Sequence, residues 1–350
     1  MPSALGEPVR TRRSIFARCL RWIGLALVWL VVLGLVAWAA AALAVDLPVP
    51  ALRLPVAIAF GVAVVAAVIF VRGVGRKLLA CVVGFAAVLA WWLTIAPSND
   101  RTWQADVART PWAEIDGDRV TIHEVRNFDY RTETDFTPRW ETRTYDLAQI
   151  RGADLFITFW GSPWIAHPIV SFQFGPDDHI AFSIETRKEV GEEYSAFKGF
   201  FRQYELTYII ADERDPIRLR TNYRTGEEVY LYRTSATPEA ARTIFLDYLR
   251  SANELHEQPA FYNAVTSNCT TNIRIHTKVV TGAKTPPWNW RLLLNGKGDE
   301  FAYANGRFVG DLPFPELKLR AHINDAARAA DQAPDFSAQV REGRVGFAAP

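Results

Sequence analysis

Hydrophobic and polar positions divide this chain into two unlike parts. Residues 22–45 hold no charge and are almost wholly apolar, a run longer than the ~20 residues that span a bilayer. Two further apolar runs, 54–71 and 78–95, lie near the lower limit for a span. Neither carries a polar stripe at helical spacing, which argues against a soluble helical hairpin. After Ser98-Asn99-Asp100-Arg101 the pattern becomes mixed. Short strands and turns are expected over 118–150, with alternation through 119–125, and a buried strand over 153–160. Residues 167–174 and 179–185 alternate on either side of Gly175-Pro176-Asp177-Asp178, which reads as a hairpin. Strands are also expected at 204–211 and 228–233. Helices follow. Thr237-Pro238-Glu239 has the residues of a helix start, and Ile244, Phe245, Tyr248, Leu249, Ala252 and Leu255 then form a core-facing stripe. A second helix should begin at Ser267 or Asn268 and end at Gly282, with short helices and loops beyond, one near 322–331. Strands followed by helices give an α+β class.

Charge places these parts relative to a membrane. Arg10, Arg12, Arg13, Arg18 and Arg21 precede the first run against one acid, Glu7, and Arg72, Arg76 and Lys77 lie between the second and third. The loop between the first two carries only Asp46 and Arg53. Basic flanks stay cytoplasmic, so residues 1–21 are expected inside and 96–350 outside, in the periplasm of a bacterium with an inner membrane. The first run is too long for a signal peptide, and two more spans follow it. The net charge of +1 hides this division and argues against a nucleic-acid partner.

Chemistry points to one residue. Of three cysteines, Cys19 and Cys81 belong to the membrane part, and Cys269 is the only thiol in the outer domain, which therefore has no internal disulfide. A small buried residue is one use for a free cysteine. The other is a nucleophile: at the first turn of the helix starting at Ser267 or Asn268, the partial positive charge and free N–H groups favour a thiolate and an oxyanion. A thiol nucleophile needs a histidine. His276, two turns along the same helix, is ~10 Å away and out of reach; His123, His256 and His322 have no contextual case. His167 and His179 remain. A tight turn at 175–178 brings His167 opposite Glu185 or Thr186 and leaves His179 ~20 Å away along the ribbon. Glu185 would then orient His167, and a longer turn or a bulge would return His179 as the third member. A zinc site lacks a close pair of ligands at the required spacing, so no metal or other cofactor is expected. Tyr262, Trp288 and Trp290 fit either an acyl groove or a core.

Trp160-Gly161-Ser162-Pro163-Trp164-Ile165-Ala166-His167-Pro168-Ile169-Val170-Ser171-Phe172-Gln173-Phe174, with Phe182-Ser183-Ile184-Glu185-Thr186-Arg187-Lys188-Glu189, resembles the Lnb N-terminal periplasmic domain family. So do Ala211-Asp212-Glu213-Arg214-Asp215, Phe261-Tyr262-Asn263-Ala264 and Asn268-Cys269-Thr270-Thr271, and the likeness covers roughly 100–285. The resemblance implies a permuted papain-like fold, akin to NlpC-like and lecithin:retinol acyltransferase-like domains, with histidine before cysteine. It carries the nucleophile to Cys269, the histidine to His167 and the acid to Glu185; His179 imitates the second histidine of the acyltransferase relatives. Asn268, Ser183, Trp164 and Tyr262 are the candidates for substrate binding and oxyanion stabilisation. Members of the family are implicated in N-acylating lipoproteins, and this chain departs from them in its three spans.

The expected activity is acyl transfer: a membrane phospholipid ester as donor, a Cys269 thioester, and the amine of a lipoprotein or peptide as acceptor. A papain-like amidase or peptidase acting on cell-envelope peptides would use the same triad with water. A non-catalytic envelope scaffold would leave Cys269 unreactive and His167 out of reach.

Overall fold

The computed structural model describes residues 12–292 and 294–347; the expected basic amino-terminal segment lies outside them up to residue 11. The chain divides after Ala96 into two compact units.

The first unit is three helices: α1 (Arg12–Asp46), α2 (Pro50–Phe70) and α3 (Val74–Leu93). Each contains a stretch long and apolar enough to cross a membrane. Both α2 and α3 begin before the apolar runs that reveal them. Pro50 suits the first helical position, where no intrahelical N–H bond is needed. Gly73, at φ +88°, turns the chain between the two helices, so Arg76 and Lys77 enter the first turn of α3 rather than a loop. Asp46 accepts a 2.6 Å hydrogen bond from the Trp92 indole, and Trp92 packs edge-on against Trp38.

The second unit is a mixed α/β domain around one large sheet. Its strands are β1 (Trp112–Asp116), β2 (Arg119–Arg126), β5 (Trp140–Asp146), β6 (Gly152–Trp160), β7 (Ala166–Gln173), β8 (His179–Arg187), β9 (Glu205–Asp212) and β10 (Glu227–Arg233). A separate small pair consists of β3 (Asp129–Tyr130) and β4 (Phe136–Thr137). The sheet order is β1-β2-β9-β8-β7-β6-β10, with β5 also on β2. Every pairing is antiparallel except β2 on β9.

Period-two alternation sends the two faces of β7 and β8 to different cores. Val170, Phe172, Phe174, Ile180, Phe182 and Ile184 pack with Phe245, Tyr248 and Leu249 of α5 (Pro238–Glu257) and with Cys269, the first residue of α6 (Cys269–Thr281). Ile169 and Ala181 point the other way, into a core shared with Ile217 of the short helix α4 (Arg214–Arg218) and with Ile323, Ala327 and Phe336. Four more short helices complete the chain: α7 (Gly298–Ala304), α8 (Phe314–Ala321), α9 (Asn324–Ala329) and α10 (Phe336–Gln339).

The central hairpin is offset by one residue from a Phe174–His179 pairing. Gln173 pairs with His179 and Ile169 with Ser183, and the Phe174 N–H bonds to the Asp178 carbonyl. Extended two residues beyond Ile169, this register sets His167 opposite Glu185.

Candidate active site

Asn268 is the N-cap of α6. Its side-chain oxygen accepts the Thr271 N–H at 2.9 Å, and the Thr271 hydroxyl accepts the Asn268 N–H at 2.8 Å. This reciprocal box fixes the first turn and leaves the Cys269 and Thr270 N–H groups without intrahelical acceptors. The approaching chain is held by the sheet: Tyr262 N–H bonds to the Tyr204 carbonyl and the Leu206 N–H to Ala260. The Asn268 side-chain amide also donates to the Ala264 carbonyl at 2.7 Å. Cys269 is thereby pinned at the helix start, 5% exposed.

His167 sits on β7, paired with Thr158 of β6 on one side and facing Glu185 of β8 on the other. Its Nε2 lies 2.7 Å from the Ser183 hydroxyl and 3.0 Å from the Glu185 carboxylate. Ser183 in turn donates to Glu185 at 2.6 Å. Nε2–H therefore donates toward the hydroxyl and the carboxylate, and Nδ1 is left for the thiol. Arg220, buried in a π-helical turn (Leu219–Tyr223), reaches Glu185 at 3.1 Å and Glu227 at 3.3 Å.

The charges of these groups are coupled. Burial alone would lower the His167 pKa. The Glu185 carboxylate opposes burial, contact with Cys269 adds to it, and together they outweigh both burial and Arg220 to raise the value to about 9. Burial would likewise push the Cys269 thiol up, but His167 brings it below its ordinary value. Glu185 is held well below the carboxylate range: burial raises it, and His167 and Arg220 more than reverse that. The favoured state is a thiolate beside an imidazolium, the reactive form of a cysteine nucleophile.

His167, Glu185, Cys269 and Tyr262 line one cleft of about 270 Å³. Its wall is rich in charge, with Arg126, Lys188, Arg220 and Arg224 facing Asp106, Glu133 and Glu227. Ser183 joins the cluster as the hydroxyl bridging His167 and Glu185. Tyr262 is buried in the core beside Cys269 and lines the cleft as well; burial and the neighbouring thiol raise its pKa, so it stays a phenol and a donor. Trp164 lies outside the cleft, on the surface, with its ring 6.4 Å from that of Trp290. His179 is not brought to Cys269. It pairs with Gln173 at the far end of the hairpin, and burial lowers its pKa to about 4 despite the nearby Glu213.

Two residues of the site lie outside the sequence reading. Asn295, in a 3-10 turn (Asn295–Lys297), accepts the Ala166 N–H at 2.9 Å and directs its amide nitrogen at the Cys269 sulfur, 3.8 Å away. Gly296 makes this approach possible, because a Cβ there would stand 2.4 Å from the Pro163 and Trp164 backbone. Arg220 is the other. Neither belongs to a motif, and both reach the site through tertiary folding.

A second groove adjoins the first. It holds about 130 Å³ and is lined by Leu155, Ile157, Pro168, Ile273, Leu292 and Phe301, reaching Thr270 beside the thiol and Asn295, which lines both spaces.

No curated protein and no solved structure matches this chain. The likeness read from motifs over roughly 100–285 corresponds to a family match that starts later and runs further, far enough to take in Asn295. That match, by the model of the Lnb N-terminal periplasmic domain, covers residues 136–296, so this part of the chain is similar to that family.

Proposed function

We propose that the outer unit is a thiol acyltransferase using a lipid ester as donor. The observation that carries this reading is the apolar groove starting at Thr270, next to the candidate nucleophile. It is smaller than the ~300–1,000 Å³ of an ordinary ligand pocket, so it would take the carbonyl-proximal part of an acyl chain. The strand histidine preceding a helix-capped cysteine in chain order agrees with a permuted papain-like arrangement. Three apolar helices fit an inner-membrane protein with a periplasmic domain, and the arginines before the first span support a cytoplasmic amino terminus.

In the proposed reaction the Cys269 thiolate attacks the ester carbonyl. The N–H groups of Cys269 and Thr270 and the Asn295 amide lie around the developing oxyanion. The C–O bond breaks, and the leaving alkoxide takes the proton of the His167 imidazolium, releasing a lysolipid. The acceptor amine then attacks the thioester and gives its proton to His167. The C–S bond breaks and the thiolate–imidazolium pair returns. Glu185 keeps Nε2 occupied, so that Nδ1 handles the proton. The acceptor is the amine of a lipoprotein or peptide.

The test is intact-mass spectrometry of protein from native membranes, with and without hydroxylamine. A hydroxylamine-labile fatty-acyl adduct on Cys269, absent in His167→Ala, is the expected result. Full activity in Cys269→Ala would refute the reading.

The charged walls of the 270 Å³ cleft favour a second reading, an amidase acting on cell-envelope peptides. It predicts no adduct together with rapid alkylation of Cys269 at neutral pH.

A further inference from the structure

The surface next to the apolar groove has a composition of its own. From Gln258 to Gly298 the chain holds no acidic residue, yet carries Arg274, Lys278, Lys284, Arg291 and Lys297. Leu155 to Pro176, which contributes the facing segment, holds no Asp, Glu, Lys or Arg. Pro286 and Leu292 line the groove. Between them Trp288 and Trp290 turn outward, 56% and 49% exposed, and Trp164 is 46% exposed on the facing segment. The two segments are joined: the Gly296 N–H bonds to the Trp164 carbonyl at 3.1 Å, and the Trp164 and Trp290 rings are neighbours. Leu294 and Ile165 add exposed aliphatic surface.

Cations sit among these rings. Arg291 lies 5.7 Å from the Trp290 ring centroid and Lys297 5.4 Å from that of Trp164, while Lys297 also pairs with Glu300. A soluble surface seldom leaves three indoles together in water. Indoles at the headgroup level with basic side chains between them are what an anionic bilayer surface accommodates.

We propose that this face docks onto anionic phospholipid headgroups of the bilayer that the chain's own helices cross. Trp164, Trp288 and Trp290 seat at the interface and Lys284 and Arg291 meet phosphates. The groove then opens where an acyl chain leaves the leaflet. The proposal rests on the acyltransferase reading for its purpose, and its test does not depend on turnover.

The test uses the full chain in nanodiscs, with Cys19, Cys81 and Cys269 replaced by Ser. An environment-sensitive fluorophore is placed on Leu294→Cys or, as a control at the exposed tip of the β7–β8 hairpin, on Asp177→Cys. Phospholipids with brominated acyl chains are the quencher. Quenching several-fold stronger at 294 than at 177 is expected in phosphatidylglycerol discs, weaker in phosphatidylcholine discs. Trp288→Ser/Trp290→Ser and, separately, Lys284→Glu/Arg291→Glu should each reduce it. Equal quenching at the two sites overturns the proposal, as does a label at 294 that is shielded from water but untouched by the brominated chains, which would assign the face to a protein partner. Strong quenching at 294 in the labelled chain, with no acyl adduct on the wild-type chain that keeps Cys269, would sink the transferase reading and leave the docking standing. An adduct on the wild-type chain without quenching in the labelled one would do the reverse.

Discussion

Removing the Glu185 charge should disarm a thiol that Glu185 never has to touch. In the native site the imidazolium of His167 owes its persistence mainly to this carboxylate, which together with the Cys269 contact lifts the pKa from 6.5 to about 9 against burial and Arg220. That rise of roughly 2.5 units corresponds to about 3 kcal/mol in favour of the charged ring. In Glu185→Gln the two opposing influences remain and the main supporting one is gone, so the pKa should fall below 6.5. The swing then exceeds that ~3 kcal/mol, and His167 is neutral at pH ~7.5. Without a cation beside it, burial governs Cys269, and the thiol should titrate at or above the ordinary ~8.5. The assay is the pH dependence of Cys269 alkylation by iodoacetamide, followed by mass spectrometry with Cys19→Ser and Cys81→Ser in place. Wild type should react well below the ordinary thiol midpoint. A thiol two units below its pKa is ionised in only ~1% of molecules, which puts a ceiling of ~100-fold on the loss there. Superimposable profiles for wild type and Glu185→Gln would refute the reasoning, since they would mean that the thiolate depends on the helix start alone.

The remaining predictions probe the supports of the same site. Acyl transfer should decline on the alkaline side with a midpoint of about 9, as His167 loses the proton destined for the leaving group; a rate still rising through pH 10 would contradict this. Asn295→Asp keeps the oxygen that accepts the Ala166 N–H and removes the N–H₂ facing the thiol, so kcat should drop ~100-fold with little change in KM; an equal loss confined to KM would exclude oxyanion stabilisation. Asn268→Ala keeps its backbone N–H to the Thr271 hydroxyl but loses the side-chain oxygen that accepts the Thr271 N–H and the amide that donates to Ala264, and should cost ~1 kcal/mol, seen as a Tm lower by a few degrees in thermal unfolding.

The hairpin was legible because alternation has a period of two and the Gly-Pro-Asp-Asp turn is short, but its register was legible only to within one residue. A shift of one residue decides whether Glu185 or Thr186 faces His167. The Phe174 to Asp178 closure resolves it in favour of Glu185. The start of α6 was legible for a different reason: capping chemistry is local, and Asn268 with Thr271 announces it within four positions. Arg220 and Asn295 were not legible. Arg220 reads as a charge in a polar stretch, and only the packing of its π-helical turn beneath the sheet sets it against Glu185. Asn295 lies far along the chain in a segment without periodicity, and the close backbone approach at Gly296 is what brings it to the thiol. Trp164, by contrast, has a local sequence that suggested substrate contact, and the fold turns its ring to the surface beside Trp290.

Asn295 also bears on how a thiol site could distinguish amine from water. It is the residue shared by the charged cleft and the apolar groove, and its amide nitrogen lies 3.8 Å from the Cys269 sulfur, which lines the cleft. An acyl chain lying in the groove would present its carbonyl to the thiolate from the Thr270 side. The lysolipid would have to depart, and the acceptor arrive, through the cleft where Glu185, Arg220 and Glu227 lie. In the proposed reaction a thioester would have its hydrocarbon side covered by Leu155, Ile157, Ile273 and Phe301, which would leave attack to the polar side. The cleft on that side holds about 270 Å³. On this proposal, selection of an amine over water would come from binding in the cleft rather than from exclusion of solvent. A short acceptor lacking groups for Arg220 or Lys188 should consequently lose to hydrolysis, and a longer one carrying a carboxylate or carbonyls should win.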